Sequence, residues 1–290
     1  MNSANVTQWE EIQTQVAAGE VDVLLVSPER LNNPVFRDEV LPHLAAGAAL
    51  VVIDEAHCIS DWGHDFRPDY RRIATLLAGL PPRTPVLATT ATANRRVSAD
   101  IAEQLGASVE AGGADGEQVL VLRGTLERGS LHLGVRMLPD AASRLAWLTA
   151  YIRRAHGSGI IYCLTVSAAQ EVAEHLRAAG VEVAAYTGQT DAAERERLEE
   201  DLKANRVRAL VATSALGMGF DKPDLAFVVH LGAPSSPVSY YQQVGRAGRG
   251  VERADVVLLP GQEDRAIWEW FGSQGFPPEE QVRVVLDALE

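Results

Sequence analysis

Short runs of apolar and β-branched residues alternate along this chain with amphipathic, alanine-rich segments. The alternation is typical of parallel strands that lie buried beneath helices on both faces of a sheet. It therefore predicts the α/β fold class. In the first half of the chain, strands are predicted at residues 21–27, 48–56, 84–91 and 118–124.

A second series of strands follows a glycine-rich stretch at residues 106–117, which predicts a loop, and a crossing segment at residues 123–130. The chain is thus predicted to form two units, at residues 1–126 and 127–262. The strands predicted in the second unit are residues 131–138, 159–163, 181–187, 207–213, 225–232 and 254–260.

Residues 263–290 are predicted to begin a further helical region, with one helix carrying Trp268 and Trp270 and a turn at residues 276–278 before the next helix. A length of 290 residues, 47% of them apolar, suits two domains of about 150 residues each. No apolar run approaches the roughly 18 residues of a membrane span, and the first residues lack the pattern of a secretory signal. A cytoplasmic protein without membrane contact is therefore expected.

Cys58 and Cys163 are the only cysteines, so neither a disulfide framework nor a CxxC zinc site is expected within the chain. The net charge of −13 argues against a uniformly basic surface for nucleic acid. It leaves open a few arginines held in a cleft.

The most informative run, at residues 54–68, begins with an acidic pair that follows a predicted strand. Open α/β sheets place their ligands at the carboxyl ends of strands. There Asp54 would hold Mg²⁺, and Glu55 would orient or deprotonate the water that attacks the γ-phosphate of ATP. A lone acidic pair would more simply cap the strand, so the neighbouring residues decide the interpretation.

His57 follows at a spacing predicted to turn it away from Glu55, where it would report the nucleotide state. The loop beyond it mixes aromatic and cationic side chains, which stack on unpaired bases and contact phosphates. Without the acidic pair nearby, the same residues would be interpreted as a packed surface loop. The loop residues concerned are Trp62, His64, Phe66 and Arg67.

Two motifs in the second unit point to phosphate chemistry. Residues 212–224 bring glycines to the end of a predicted strand, where backbone amides approach sugar and phosphate. Residues 240–250 carry Arg246 and Arg249 near one face of a helix or its frayed end, from which both can reach a phosphate. Alone, the first motif would be an ordinary glycine turn and the second a solvated basic surface.

Taken together, these motifs resemble the RecQ family of DNA helicases, over about residues 22–259. The resemblance implies two RecA-like motor domains that use ATP and Mg²⁺ to move along single-stranded DNA and open duplex junctions, with three-prime to five-prime polarity. It assigns Asp54 and Glu55 to the second helicase motif, with His57 and the candidate arginine fingers Arg246 and Arg249 also among the catalytic residues. It also implies that the aromatic loop couples DNA binding to hydrolysis.

The resemblance implies roles for further residues. Ser27 and Arg30 match a DNA-contacting segment, and Thr90 and Thr92 match the third motif, which couples hydrolysis to unwinding. Residues 163–170 and 186–191 depart from the family pattern, which puts DNA-backbone contacts there in doubt. The fifth and sixth motifs supply DNA contacts at Thr213 and Ser214 and nucleotide contacts at Gly219, Asp221, Gln242, Gly245, Arg246 and Arg249.

A motor of this kind needs a phosphate-binding loop, GxxxxGK[ST], and the 290 residues contain no match to it. The first domain is therefore expected to be incomplete, and a further segment or a partner would complete it. The chain by itself is expected to have little ATPase activity. An alternative is a non-catalytic module, derived from a helicase, that binds single-stranded DNA or a protein.

Overall fold

A computed structural model describes residues 9–36, 40–42, 47–59, 73, 76–77, 80–81, 84–105, 119–125, 127–217, 219–273 and 283. The chain divides into two compact units, residues 1–124 and residues 125–290. Both contain parallel strands and helices, which confirms the predicted α/β class.

The first unit contains a parallel pair of short strands, in which Val51 lies opposite Val86 and Ile53 opposite Ala88. Two strands predicted from the sequence are therefore confirmed, although both are shorter than expected. The elements in chain order are α1 (Trp9–Ala17), a 3₁₀ helix (Pro28–Asn32), β1 (Val51–Ile53), a 3₁₀ helix (Ala56–Ile59), β2 (Val86–Ala88) and α2 (Arg95–Gln104).

The strands predicted at residues 21–27 and 118–124 are wrong for the part of each segment that the structure describes. A strand requires a hydrogen-bonded neighbour, and neither segment joins the β1–β2 ladder. Some of their apolar side chains also lack cover, since Leu25 and Leu120 are both 80% exposed, whereas Leu24 and Val26 pack in part against the core of this unit. Hydrophobic alternation reports which residues can pack in a sheet, not whether a partner strand is present.

The second unit contains a six-stranded sheet in which every neighbouring pair is parallel. The strand order is β3-β8-β7-β4-β6-β5, and all six strands predicted for this unit are confirmed. The strands are β3 (Leu131–Val135), β4 (Ser158–Cys163), β5 (Val183–Tyr186), β6 (Ala209–Ala212), β7 (Leu225–Leu231) and β8 (Ala254–Leu259).

Helices cover both faces of this sheet, and a separate apolar core fills each face. Every residue of β4 and β6 is buried, as expected for central strands of a parallel sheet. Polar side chains cap four of the helices at their first turn, and one of these caps is Asp191, which accepts the Glu194 N–H at 2.8 Å. The helices are α3 (Ala141–Arg154), α4 (Val166–Ala178), α5 (Ala192–Lys203), α6 (Pro237–Val244) and α7 (Asp264–Ser273).

Helix α7 confirms the predicted helix that carries Trp268 and Trp270. The turn predicted at residues 276–278 lies outside the described residues, as does nearly all of the helix predicted beyond it. Across the parts of the chain that the structure describes, no helix has both the length and the apolar character needed to span a membrane.

Candidate functional site

In the first unit, the end of β1 is joined to the end of β2 through Asp54. The carboxylate Oδ1 of Asp54 accepts hydrogen bonds from the Glu55 N–H at 2.9 Å and from the Thr89 hydroxyl at 2.7 Å. The Ala56 N–H donates in turn to the Thr89 carbonyl at 2.9 Å. Because β1 and β2 are parallel neighbours, their carboxyl ends meet, and the second and third predicted motifs lie side by side.

Glu55 has a left-handed backbone, with φ of +50°, which an L-residue adopts at a cost of order 1 kcal/mol. The chain then enters the 3₁₀ helix Ala56–Ile59, and the two turns bring the Glu55 and His57 side chains together. His57 Nδ1 lies 3.1 Å from Glu55 Oε2 and 3.1 Å from Thr90 Oγ1. The expectation that His57 turns away from Glu55 is therefore wrong.

His57 is 1% exposed, whereas the neighbouring carboxylates are open to solvent to different degrees: Asp54 is exposed and the Glu55 side chain is 32% exposed. The Nδ1 atom of a buried imidazole thus lies close to both the Glu55 carboxylate and the Thr90 hydroxyl. Thr92 joins the same turn, because its N–H donates to Thr90 Oγ1 at 3.3 Å. The structure brings together five of the predicted site residues, which are Asp54, Glu55, His57, Thr90 and Thr92.

The residues predicted to contact DNA in this unit differ in their structural surroundings. Ser27 precedes the 3₁₀ helix Pro28–Asn32 as its N-cap. Arg30 is 8% exposed, and its guanidinium lies 3.1 Å from the centre of the Trp9 ring and 5.5 Å from that of Phe36. Its DNA contact stays a prediction. The aromatic loop lies outside the described residues, with Trp62, His64, Phe66 and Arg67.

In the second unit, the turn after β6 folds back on Thr213. The Thr213 N–H donates to the Tyr186 carbonyl at 3.2 Å, and the Thr213 carbonyl accepts the Leu216 N–H at 3.2 Å. Thr213 is 8% exposed, whereas Ser214 is exposed. Gly219 takes a φ of +96°, a left-handed conformation that favours glycine. Ser214 is therefore the more accessible of the two predicted DNA contacts.

Asp221 and Arg249, both predicted nucleotide contacts, form an ion pair with a 2.7 Å distance between Asp221 Oδ1 and an Arg249 guanidinium nitrogen. The Arg249 Nε also donates to the Gly245 carbonyl at 3.2 Å. The side chains of Arg249 and Asp221 are 43% and 58% exposed. The pair joins the fifth and sixth predicted motifs at the surface of this unit.

Arg246, in contrast, is buried, since only 8% of it is exposed. Its guanidinium donates to the Phe220 carbonyl at 3.0 Å, beside the buried ring of Tyr162. Burial raises the pKa of Tyr162 to about 12, and the Arg246 charge opposes that rise. Helix α6 ends at Val244, with Gly245 as its C-cap, so both arginines lie beyond the helix end, and Gln242 lies on the helix.

Four residues that hold these motifs were missed by sequence reasoning. Thr89 orients Asp54, as described above. Arg128 donates to the carbonyls of Gly245 and Ala247, at 2.8 and 3.0 Å, although it lies in the segment interpreted as a crossing between units. Its positive charge was the only available signal. The other two are Ser130, which donates to the Gly248 carbonyl, and His230, whose Nε2 lies 2.9 Å from Gln243 Oε1.

Each of the two units matches a sequence model of a helicase family. A model described as "DEAD/DEAH box helicase" matches residues 2–101, and one described as "Helicase conserved C-terminal domain" matches residues 143–251. The ATP-dependent DNA helicase RecQ of Haemophilus influenzae is 35% identical over 267 residues, covering 91% of this chain and 40% of that protein. The ATP-dependent DNA helicase Q-like 4B of Arabidopsis thaliana is 35% identical over 257 residues, 87% of this chain and 21% of that protein.

Among solved structures, the Mycobacterium smegmatis helicase Lhr bound to single-stranded DNA and AMP-PNP has a TM-score of 0.64. Its sequence identity is 21%, over 91% of this chain and 36% of that one, so this likeness shows the fold alone. The chain spans about two-fifths of the length of the first curated relatives it matches.

Proposed function

Because the chain belongs to the RecQ family of helicases, we propose that its two units form part of an ATP-driven DNA motor. The observation that carries this proposal is the network at the carboxyl ends of β1 and β2, where Thr89 orients Asp54 and a buried His57 contacts both Glu55 and Thr90. A simple cap of a strand has no physical need for this arrangement of two acids, an imidazole and two hydroxyls.

Asp54 is the residue that would hold Mg²⁺. Two hydrogen bonds to Oδ1 fix the carboxylate, the residue is exposed, and hard carboxylate oxygens are the ligands that Mg²⁺ prefers. When bound, Mg²⁺ neutralises charge on the phosphates of ATP. Glu55 orients the attacking water and accepts its proton, while His57 holds the Glu55 carboxylate and links it to Thr90.

The two arginines differ in how readily they can reach a phosphate. Arg249 is bound to Asp221 in an exposed pair, and such pairs are typically worth less than about 1 kcal/mol. Replacing Asp221 with phosphate oxygens as the partner of Arg249 is therefore expected to cost little free energy. Arg246 would have to leave the Phe220 carbonyl and a buried site. We assign the transition-state contact first to Arg249 and a second, costlier contact to Arg246.

The DNA-facing part of the proposal is a motor that translocates on single-stranded DNA with three-prime to five-prime polarity and opens duplex junctions. Such an activity would serve DNA repair and recombination in the cytoplasm, at the nucleoid of a bacterium. Ser214 and the aromatic loop around Trp62 are the proposed contacts to the strand. The relatives named as ATP-dependent DNA helicases support the choice of DNA as the nucleic acid.

A purified polypeptide of these 290 residues is proposed to hydrolyse ATP poorly, because the sequence has no GxxxxGK[ST] segment to hold the β- and γ-phosphates. The test is ATP hydrolysis with and without single-stranded DNA, comparing the unaltered chain with Glu55→Gln. Hydrolysis that DNA stimulates and Glu55→Gln abolishes would contradict this part of the proposal. Fusing a strand–loop–helix segment that carries GxxxxGK[ST] is expected to raise hydrolysis, and polarity is then read from duplexes with one or the other single-stranded tail.

A second candidate, a module that binds single-stranded DNA without catalysis, is favoured by the same lack of a GxxxxGK[ST] match in the 290 residues. Titration of a labelled single strand at two salt concentrations measures this binding directly. Trp62→Ala is expected to weaken it about 10-fold, since one stacked base contributes roughly 1–3 kcal/mol. Trp270→Ala, at a 59% exposed tryptophan outside the proposed contacts, is the control. If binding responds neither to salt nor to Trp62→Ala, the aromatic loop is not a DNA contact, either in a motor or in a non-catalytic module.

A further inference from the structure

Helix α7 contacts the loop that leads from β7 into α6, the helix of the sixth motif. The loop runs over residues 232–236, between the end of β7 at Leu231 and the start of α6 at Pro237. Both polar backbone groups of one loop residue, Ala233, are bound by side chains of α7. The Ala233 N–H donates to Asp264 Oδ2 at 2.7 Å, and the Trp268 indole N–H donates to the Ala233 carbonyl at 2.7 Å.

Asp264 is built into this contact. It is 7% exposed, and the same Oδ2 also accepts the Gly261 N–H at 2.9 Å. It begins α7, where the helix dipole favours a negative charge. A buried carboxylate held by two backbone amides is costly to leave unpaired, so the contact resists opening.

The loop itself is shaped to receive the acid. Gly232 has a φ of +98°, and a Cβ added there would lie 2.9 Å from Asp264 Oδ1 and 2.7 Å from the Leu164 side chain. The Gly232 N–H donates to the Leu259 carbonyl at 3.0 Å, which ties the loop to the end of β8. Four residues after Gly232, Ser236 caps α6 by accepting the Ser239 N–H at 3.1 Å.

The geometry points to Asp264 and Trp268 as positioning residues that set the start of α6 and, through it, the place of Gln242, Arg246 and Arg249. In the part of the chain that the structure describes, the hydrogen bonds of Asp264 and Trp268 go to Gly261 and Ala233. They hold Ala233, which lies three residues before Ser236, the N-cap of α6, and the arginines follow the last turn of that short helix. The segment after the second sheet is thereby coupled to the arginine motif. The functional meaning of this coupling rests on the ATPase role proposed above, but the coupling itself does not.

Hydrogen–deuterium exchange of the 290-residue chain tests the contact. Trp268→Phe removes the indole N–H and keeps an aromatic ring, so it deletes one hydrogen bond to Ala233. Exchange is expected to accelerate about 5- to 10-fold in residues 233–250, because local opening of this segment becomes easier. Strands β4, β6 and β7 are expected to keep their protection.

Trp270→Phe is the matched control, because it makes the same chemical change two residues away on the same helix at a 59% exposed side chain. Asp264→Asn, which keeps an oxygen acceptor for the Ala233 N–H, is expected to accelerate exchange less than Asp264→Ala. Equal exchange in Trp268→Phe and Trp270→Phe would overturn the proposal, as would acceleration spread evenly over the whole sheet. Loss of the proposed ATPase or DNA-binding role would leave this exchange pattern unchanged, so the two failures are distinguishable.

Discussion

In both units, a hydrogen bond from the turn after one strand to the neighbouring parallel strand positions a motif, but the described sheets have two and six strands. In the first unit, the turn after β1 is bound to Thr89, just beyond the neighbouring strand. In the second unit, the turn after β6 is bound in the same way to Tyr186, which ends the neighbouring strand β5. A pair of adjacent parallel strands is thus enough to position a motif. The described strands of the first unit, however, leave Val52 54% exposed, whereas β4 and β6 are wholly buried.

The largest expected difference between the units is in the effect of core truncation. Leu210→Ala on β6 removes a fully buried side chain and is expected to lower the free energy of unfolding by about 2–5 kcal/mol. Leu87→Ala on β2, at a residue 49% exposed, is expected to cost about 1 kcal/mol or less. Urea unfolding followed by circular dichroism measures both. Equal losses would show that the first unit has as much of a core around β2 as the second has around β6.

A pH effect is expected from His230 in the second unit. His230 is 1% exposed, and burial lowers its pKa to about 4. Because the unfolded chain takes up the proton near pH 6.5, neutral His230 contributes stability above that pH, and this contribution is lost as the pH falls toward 4. Between pH 7 and pH 5 the loss is about 2 kcal/mol. Urea unfolding at both pH values should show a shallower pH dependence for His230→Gln.

His132→Gln is the control for this pH effect, since His132 lies exposed on the edge strand β3. It is expected to leave the pH dependence of the free energy of unfolding close to that of the unaltered chain. If His230→Gln and His132→Gln behave alike, the imidazole of His230 is not held neutral by its surroundings.

The same contrast explains what the sequence could predict. All six strands of the second unit were predicted, because each is rich in apolar residues, although only five are largely buried or half-buried and the edge strand β3 is exposed. Residues 21–27 and 118–124 have the same composition, but a strand also needs a partner, which composition does not report. The order of motifs located Asp54 and Glu55. It could not give the left-handed backbone at Glu55 that brings His57 back toward its carboxylate.

The difference in burial between the two arginines of the sixth motif could not be predicted, for a related reason. Their letters are identical and their spacing is short, yet Arg249 is 43% exposed on the side chain and Arg246 is buried. What separates them is the end of α6 at Val244, after which the chain no longer follows helical periodicity. The partners that hold this turn, such as Arg128, lie more than a hundred residues away in the sequence.

A smaller effect is expected from Thr89 in the first unit. Thr89→Val removes the hydroxyl that donates to Asp54 Oδ1 at 2.7 Å while keeping the branched shape of the side chain. A hydrogen bond to a charged group at a partly exposed site is expected to contribute about 1 kcal/mol. Hydrogen–deuterium exchange in residues 51–59 should accelerate about fivefold. Thr149→Val, on α3 of the second unit, should leave these residues unchanged. An effect of Thr89→Val confined to β2 would show that Thr89 does not hold Asp54.

The smallest expected effect on stability is that of the ion pair between Asp221 and Arg249. Asp221→Asn, Arg249→Gln and the double variant form a thermodynamic cycle whose coupling energy is expected to be about 0.2–1 kcal/mol, because both side chains are more than a third exposed and salt screens them. Arg246→Gln is the comparison within the same motif. It leaves the Phe220 carbonyl without its buried donor and should cost about 1–3 kcal/mol. Urea unfolding at low and high salt measures both, and a salt-insensitive coupling above about 2 kcal/mol would mean that Arg249 is too firmly held to exchange Asp221 for a phosphate.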